Sequence, residues 1–191
     1  PSLFVFSPTQ PFNEPRPLRL SVLPPDTTAF RPASIPAMSP DGRRGAFVAT
    51  ADGSDSLWVR DLDSLTARPL HDTEGASLPF WSPDNRFLGF FAGGKLKKID
   101  VGGGPAVPLC DAFWGRDGTW SKSGVIVFAM GTNSALFRVS ASGGSATSLT
   151  TLDQGLSEVF HVAPWFLPDG RHFLFTAVTS ATSGVVYVAV I

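Results

Sequence analysis

Three histidines, one cysteine and sixteen Asp or Glu are the side chains of this 191-residue chain with the widest chemical range. His71, His161 and His172 have none of the short i to i+5 spacings of a zinc-binding pair, and Cys110 is alone, so neither a thiol-rich metal site nor an internal disulfide is encoded. Nucleophilic catalysis lacks its usual frame, because no G-x-S-x-G elbow occurs. Gly102-Gly103-Gly104 has the glycines of a phosphate cradle, but no GK[ST] follows and no helix is expected after it, so it is a turn. What remains is a set of carboxylates, two histidines, a tryptophan and an arginine in expected loops: His71, Asp72, Glu74, Asp111, Trp114, Arg116, Glu158 and His161. Their chemistry is recognition: attraction of a cationic ligand, a basic peptide or a divalent ion. The competing structural reading makes the carboxylates turn formers and the histidines partners of neighbouring loops.

The elements that position these residues follow from composition. Gly and Pro make up 36 of 191 residues, about 19% against roughly 12% in average proteins. Glu, Lys, Gln and Met together number 11, which excludes a helical bundle, whereas 16 Phe and 5 Trp suit half-buried strands. A formal charge of −1 argues against a nucleic-acid footprint. The apolar run Val185 to Ile191 is too short to span a bilayer, so no transmembrane segment is expected. The chain opens Pro1-Ser2-Leu3, without a signal peptide or a Met, which suggests a processed chain or part of a longer one.

Ten of the 17 prolines fall in the first 40 residues, and 1–17 reads as a Pro-rich arm. Beyond it the chain repeats. Ser39-Pro40-Asp41-Gly42 returns as Ser82-Pro83-Asp84-Asn85, loosely as Ser121-Lys122-Ser123-Gly124, and as Leu167-Pro168-Asp169-Gly170. Proline presets φ in such a turn, Asp bonds back to the backbone, and Gly or Asn accepts φ > 0. A short strand precedes each turn and apolar strands follow, as at 45–49, 87–91, 125–128 and 173–177, then 57–60, 95–99, 135–139 and 185–188. A four-stranded antiparallel unit recurring about every 40 to 45 residues is a β-propeller blade. The all-β expectation is blades at about 30–70, 71–110, 111–150 and 151–191, the last stopping after its third strand: about 3.75 blades. Trp58, Trp81, Trp120 and Trp165 are expected to sit at equivalent positions and pack between blades.

In a propeller, the loops entering each blade and the hairpins joining its middle strands share one face, here termed the top. Those loops carry Asp52, Asp55, Asp72, Glu74, Asp111, Asp117, Asp153 and Glu158, with Arg116 as the expected single cation. The opposite hairpins carry Arg43, Arg44, Arg86, Lys122 and Arg171. An acidic top and a more basic bottom are expected. His172, beside a turn, is expected to be structural.

The ordered repeat resembles the TolB-type, WD-like propeller family. It is closest to the propellers attached to bacterial, eukaryotic-like serine/threonine kinases. The residues carrying the likeness are Leu57-Trp58-Val59-Arg60-Asp61-Leu62-Asp63, Thr73-Glu74-Gly75-Ala76, Pro79-Phe80-Trp81-Ser82-Pro83-Asp84, Lys95 to Asp100 with Gly103-Gly104, Gly118-Thr119-Trp120-Ser121, and His161 through Phe166-Leu167-Pro168-Asp169-Gly170-Arg171 to Phe173. Gly45, where the repeat usually has an aliphatic residue, and the degraded third turn depart from the pattern. No kinase motif is present. The resemblance implies a non-catalytic ligand- or protein-binding module, the sensor or scaffold part of a larger bacterial protein, and an extracytoplasmic or periplasmic setting. Two alternatives stand beside it: a TolB-like partner of envelope proteins, and a propeller enzyme of hydrolase, lyase or phytase type using top-face acids and a metal. No cofactor is expected beyond a divalent cation on the acidic face. An open arc leaves unpaired edges that invite association. Either Leu3–Phe6 or Leu18–Leu23 closes a small ring, or the chain is a fragment that pairs with another copy; the second is the expectation.

Overall fold

Each Ser-Pro-Asp-Gly turn is a knot of short hydrogen bonds that fixes where one strand folds onto the next. In the computed structural model, which describes residues 24–25, 27–31, 35–180 and 182–191, Ser39 Oγ donates to Asp41 Oδ1 and accepts the Arg44 N–H, while Asp41 Oδ1 accepts the Arg43 N–H. Ser82, Asp84, Arg86 and Phe87 repeat the pattern. Where Asp is missing, Ser121 Oγ still accepts the Val125 N–H. Where Ser is missing, Asp169 Oδ1 accepts the N–H groups of Arg171 and His172. The last turn residue has positive φ in all four copies, Gly42, Asn85, Gly124 and Gly170.

These turns organise four antiparallel sheets. The first contains β1 (Ala29–Phe30), β2 (Ala37–Met38), β3 (Arg44–Ala51), β4 (Ser54–Asp61) and β5 (Ala67–Pro69), with β1 and β2 both pairing with β3. The second is β6 (Ser77–Trp81), β7 (Phe87–Ala92), β8 (Lys95–Asp100) and β9 (Val107–Asp111). The third is β10 (Gly115–Trp120), β11 (Val125–Met130), β12 (Leu136–Ser140) and β13 (Thr147–Ser148). The fourth has three strands, β14 (Phe160–Phe166), β15 (His172–Ser180) and β16 (Ser183–Val190). This is the β-propeller blade arrangement, and the sheets are not closed into a ring. The arm 1–17 and the strands expected at Leu3–Phe6 and Leu18–Leu23 lie outside the described residues.

The core lies between blades. Ala46, Val48, Leu57 and Val59 of the first blade meet Trp81, Leu88, Phe90 and Ile99 of the second. Phe80, Phe91 and Leu96 then meet Ile126 and Phe128, and Val127 and Leu136 meet Phe173 and Phe175. Because side chains alternate across a strand, each sheet shows one face to the blade before it and the other to the blade after it. Leu57, Leu96 and Leu136 take the same place in successive blades, and each is fully buried, a gain of about 2–3 kcal/mol apiece. The second and third blades also interlock by aromatic rings over glycine: Cβ atoms at Gly118 and Gly115 would lie 2.3 Å and 2.0 Å from the rings of Phe80 and Phe91.

The expected equivalence of the four tryptophans fails in two ways. Trp58 is on β4, the third strand of its sheet, whereas Trp81, Trp120 and Trp165 are on first strands. Trp81 pairs with Leu88 and Trp120 with Ile126, but it is Phe166 that pairs with Phe173, so Trp165 is one residue early. With a side-chain period of two, that slip turns it to the opposite face. Trp81 is buried between blades, and its indole N–H donates to the Ala37 carbonyl of the first blade at 3.0 Å; Trp165 is 69% exposed.

Candidate functional site

The loops that enter blades two to four are bonded to the middle hairpins, which places both on one face. Gly75 N–H donates to the Asp55 carbonyl, Ala112 to Gly94, Gly131 to Trp114, and His161 to Ser134. His71, Asp72 and Glu74 lie exposed in the first of these loops. Thr73 between them is buried: its Oγ1 accepts the Leu57 N–H at 2.9 Å and donates to the Leu70 carbonyl at 2.6 Å, locking the loop to the blade edge. Neither Asp72 nor Glu74 has a side-chain partner among the described residues, and nor does Asp52 in the neighbouring hairpin.

The second loop carries Asp111, Trp114 and Arg116. Trp114 is 85% exposed, with Phe113 beside it at 66%. Trp114 has φ 58, a left-handed conformation that a bulky aromatic residue adopts at a cost of about 1–2 kcal/mol. Its carbonyl accepts the Gly131 N–H at 3.0 Å, which holds the strained turn to the next hairpin. Phe113 rests on Gly94, where a Cβ would come within 2.9 Å of the ring. The Arg116 guanidinium sits 5.4 Å above the Phe160 ring and spans to the next blade.

The top face is less acidic than a count of loop residues suggests. Lys95, at the start of β8, pairs with Asp111 at 2.6 Å, and Arg31 pairs with Asp55 at 2.9 Å, so Arg116 is not the single cation there. Asp117 Oδ2 accepts the Ala163 N–H, and Asp153 caps the 3-10 turn Gln154–Leu156. Among the described residues, no three His, Cys, Asp or Glu side chains converge as a metal site would require.

Glu158 and His161 face each other inside the protein, with side chains 5% and 3% exposed. The Leu136 N–H donates to Thr150 Oγ1 at 2.9 Å, and Thr150 Oγ1 lies 2.8 Å from His161 Nδ1. His161 Nε2 lies 3.0 Å from Glu158, which also accepts the Asp153 N–H at 2.7 Å. The Asp153 N–H, then His161, hold the Glu158 carboxyl below the usual glutamate range. That ionised carboxylate makes Nε2 a donor, and in the neutral imidazole Nδ1 then accepts the Thr150 hydroxyl. A hydroxyl, an imidazole and a carboxylate thus stand in line, but Thr150 occupies the place that Thr73 takes two blades earlier, bonding a backbone N–H at the sheet edge. This group ties the third blade to the fourth. His172 Nδ1 lies 2.5 Å from Asp169 Oδ2 in its own turn.

The structure therefore brings His71, Asp72, Glu74, Asp111, Trp114 and Arg116 to the surface of one face, and turns Glu158 and His161 inward. Phe113 and Lys95 belong to the face as well; the signal for the first was two consecutive aromatic residues in a loop. On the opposite face the basic residues act between blades: Arg44 Nη2 donates to the Asn85 carbonyl at 2.6 Å and Lys98 Nζ to the Ala141 carbonyl at 2.7 Å.

No protein-family model matches this sequence, and no curated protein does. Solved structures do. A TolB candidate from Agrobacterium tumefaciens superposes with a TM-score of 0.66 at 17% identity, over 81% of this chain and 60% of that one. TolB from Acinetobacter baumannii gives 0.59 at 20% identity, over 83% and 40%. The β-propeller domain of the trilobed protease from Pyrococcus furiosus, which has an open velcro topology, gives 0.51 at 13% identity, over 82% and 68%. The chain thus spans 40% and 60% of the two TolB structures. These likenesses establish the propeller fold.

Proposed function

We propose that this chain is a binding module that takes a basic peptide segment of a protein partner on its top face. The observation that carries the reading is Trp114, held in a left-handed backbone and presented to solvent beside Phe113. Strain of this kind persists only where the surroundings impose it, and it clusters at binding sites. Lys and Arg side chains stack on indole faces, and Asp52, Asp72 and Glu74, without side-chain partners among the described residues, add long-range attraction for the same ligand. The acids are engaged singly or left free rather than gathered, which favours a peptide over a bound cation. A TolB-like partner role and a sensor or scaffold role beside a receptor-type kinase domain are both forms of this reading; sequence resemblance supports the second.

The test is a fluorescence-polarisation screen of labelled basic peptides against the wild-type chain and Trp114→Gly. Glycine accepts φ 58 without strain, so the variant keeps the loop while removing the indole. Binding that is lost in Trp114→Gly and falls with salt supports the reading. Equal binding by both proteins, or no binding by any basic peptide, refutes it.

A further inference from the structure

We propose that the bottom face carries a site for a small aromatic anion, a carboxylate or phosphate borne on a flat ring, between the turns of the second and third blades. All eight strands of these two blades are described, and two departures from the repeat open the space. The first is Phe87. At the junction of blades one and two, the Arg44 guanidinium lies 5.1 Å over the Trp81 ring and donates to the Asn85 carbonyl of the next turn at 2.6 Å. Phe87 holds the place of Arg44: its N–H donates to the turn serine, and it pairs with Asp100 as Arg44 pairs with Asp61. Phe87 stacks on Trp120, the counterpart of Trp81, with centroids 6.2 Å apart, but brings no guanidinium to the following turn. The second departure is that turn itself. The N–H groups of Ser39, Ser82 and Leu167 donate to carbonyls five residues on, whereas that of Ser121 donates to Val125, four residues on. Gly124 therefore takes the place of Arg43, Arg86 and Arg171, its carbonyl accepting the N–H that closes the third strand. Together these changes leave a cavity of about 350 Å³ lined by Phe87, Lys98, Trp120, Lys122, Gly124 and Ser142. Small-molecule sites run from roughly 300 to 1,000 Å³.

The lining selects an anion. Lys98 is half-buried; its Nζ donates to the Ala141 carbonyl at 2.7 Å and lies 5.2 Å from the centre of the Phe87 ring. Lys122 Nζ lies 3.4 Å from the Pro168 carbonyl. Neither ammonium has a carboxylate partner among the described residues. Asp84, the acid in the lining, is held in its own turn by the Ser82 hydroxyl and the Arg86 N–H. An ammonium drawn partly out of water onto a carbonyl and a ring still lacks its counter-charge, and two of the three Lys98 donors remain for a ligand. The Trp81 indole N–H is used on the Ala37 carbonyl, whereas that of Trp120 has no partner among the described residues. Lysines and an indole N–H thus meet the charge, and Phe87 and Trp120 offer aromatic surface to a flat ring.

The test is titration of the 191-residue chain with benzoate and with phenyl phosphate, followed by the indole N–H signals in proton–nitrogen NMR spectra. The chain has 5 Trp, and the signal lost in Trp120→Phe identifies the site. That signal is expected to shift saturably with benzoate, with phenyl phosphate or with both, at a Kd of about 1 mM for ligands of this size. Which of the two binds more tightly distinguishes carboxylate from phosphate. The signal lost in Trp114→Gly is expected to stay in place, so this site and the top face succeed or fail separately. Lys98→Gln and Lys122→Glu are each expected to weaken binding about tenfold, the loss of one hydrogen bond to a charged group. Lys122 is exposed, so Lys122→Glu is expected to keep the far-UV circular dichroism spectrum and decides the matter even if Lys98→Gln unfolds. A Trp120 signal unmoved by both ring compounds at about 10 mM, ten times the expected Kd, overturns the proposal. So does an equal response to inorganic phosphate or to benzylamine, or undiminished binding by Lys122→Glu.

Discussion

Replacing Thr73 by valine removes one hydroxyl and almost no volume. Thr73 is fully buried, and that hydroxyl serves the Leu57 N–H at 2.9 Å and the Leu70 carbonyl at 2.6 Å. In Thr73→Val the Leu57 amide loses its acceptor, and the Leu70 carbonyl loses its hydroxyl donor. A buried polar group left without a partner costs about 1–3 kcal/mol, so the pair costs roughly 2–4 kcal/mol, the amide contributing the larger part. At about 2–4 °C per kcal/mol for a chain of this length, Tm falls by roughly 4–16 °C. Thr73→Ser keeps the hydroxyl and loses one methyl, about 1 kcal/mol. Urea unfolding followed by circular dichroism, with differential scanning calorimetry, separates the two variants. If Thr73→Val costs less than Thr73→Ser, the hydroxyl is not what locks the top-face loop to its blade.

Other substitutions test other levels of the structure. Gly118→Ala places a Cβ against the Phe80 ring and is expected to cost about 1–3 kcal/mol by overpacking in urea unfolding, with Phe80→Leu in the same chain recovering part of it. Trp114→Gly relieves a strained backbone and is expected to raise stability by about 1 kcal/mol in the same assay. For Glu158 the folded carboxyl titrates below its unfolded value near 4.5, so its contribution is complete above that value and is lost as pH falls through the lower folded one. Glu158→Gln is therefore expected to be less stable at pH 7 and to lose less stability than wild type between pH 5 and 3, measured by thermal melts. Burial first, then the Asp111 charge, push the Cys110 thiol up to about 11, so alkylation by iodoacetamide at pH 7.5 is expected to be slow in the folded chain and fast in urea.

Much of the architecture is legible in the sequence because turn chemistry is local. Ser, Pro, Asp and Gly at fixed offsets leave the backbone few choices, and strands predicted at 87–91 and 95–99 are observed at Phe87–Ala92 and Lys95–Asp100. The phase of Trp165 is equally local, yet it emerges only when residues are counted back from Pro168 rather than matched by type. Tryptophan stands two residues before Pro83 but three before Pro168, and in a strand that difference exchanges one face for the other.

The site was less legible because its properties are not local. A loop-by-loop count of charge misses Lys95, which lies on a strand and reaches Asp111 sixteen residues away. It also gives no sign that Glu158 and His161 turn inward. Their burial follows from Thr150, and Thr150 acts as Thr73 does without sharing its sequence spacing from the preceding leucine. Trp114 was identifiable as a loop aromatic, but its left-handed backbone and its exposure depend on Gly131 in the next hairpin.

The most direct measurement is calorimetric titration of a screened basic peptide into the wild-type chain and into Trp114→Gly, at low and high salt. The expected result is saturable binding by wild type that weakens as salt screens Asp52, Asp72 and Glu74, and no detectable heat with the variant. Undiminished binding by Trp114→Gly would contradict the assignment of the top face as the binding surface.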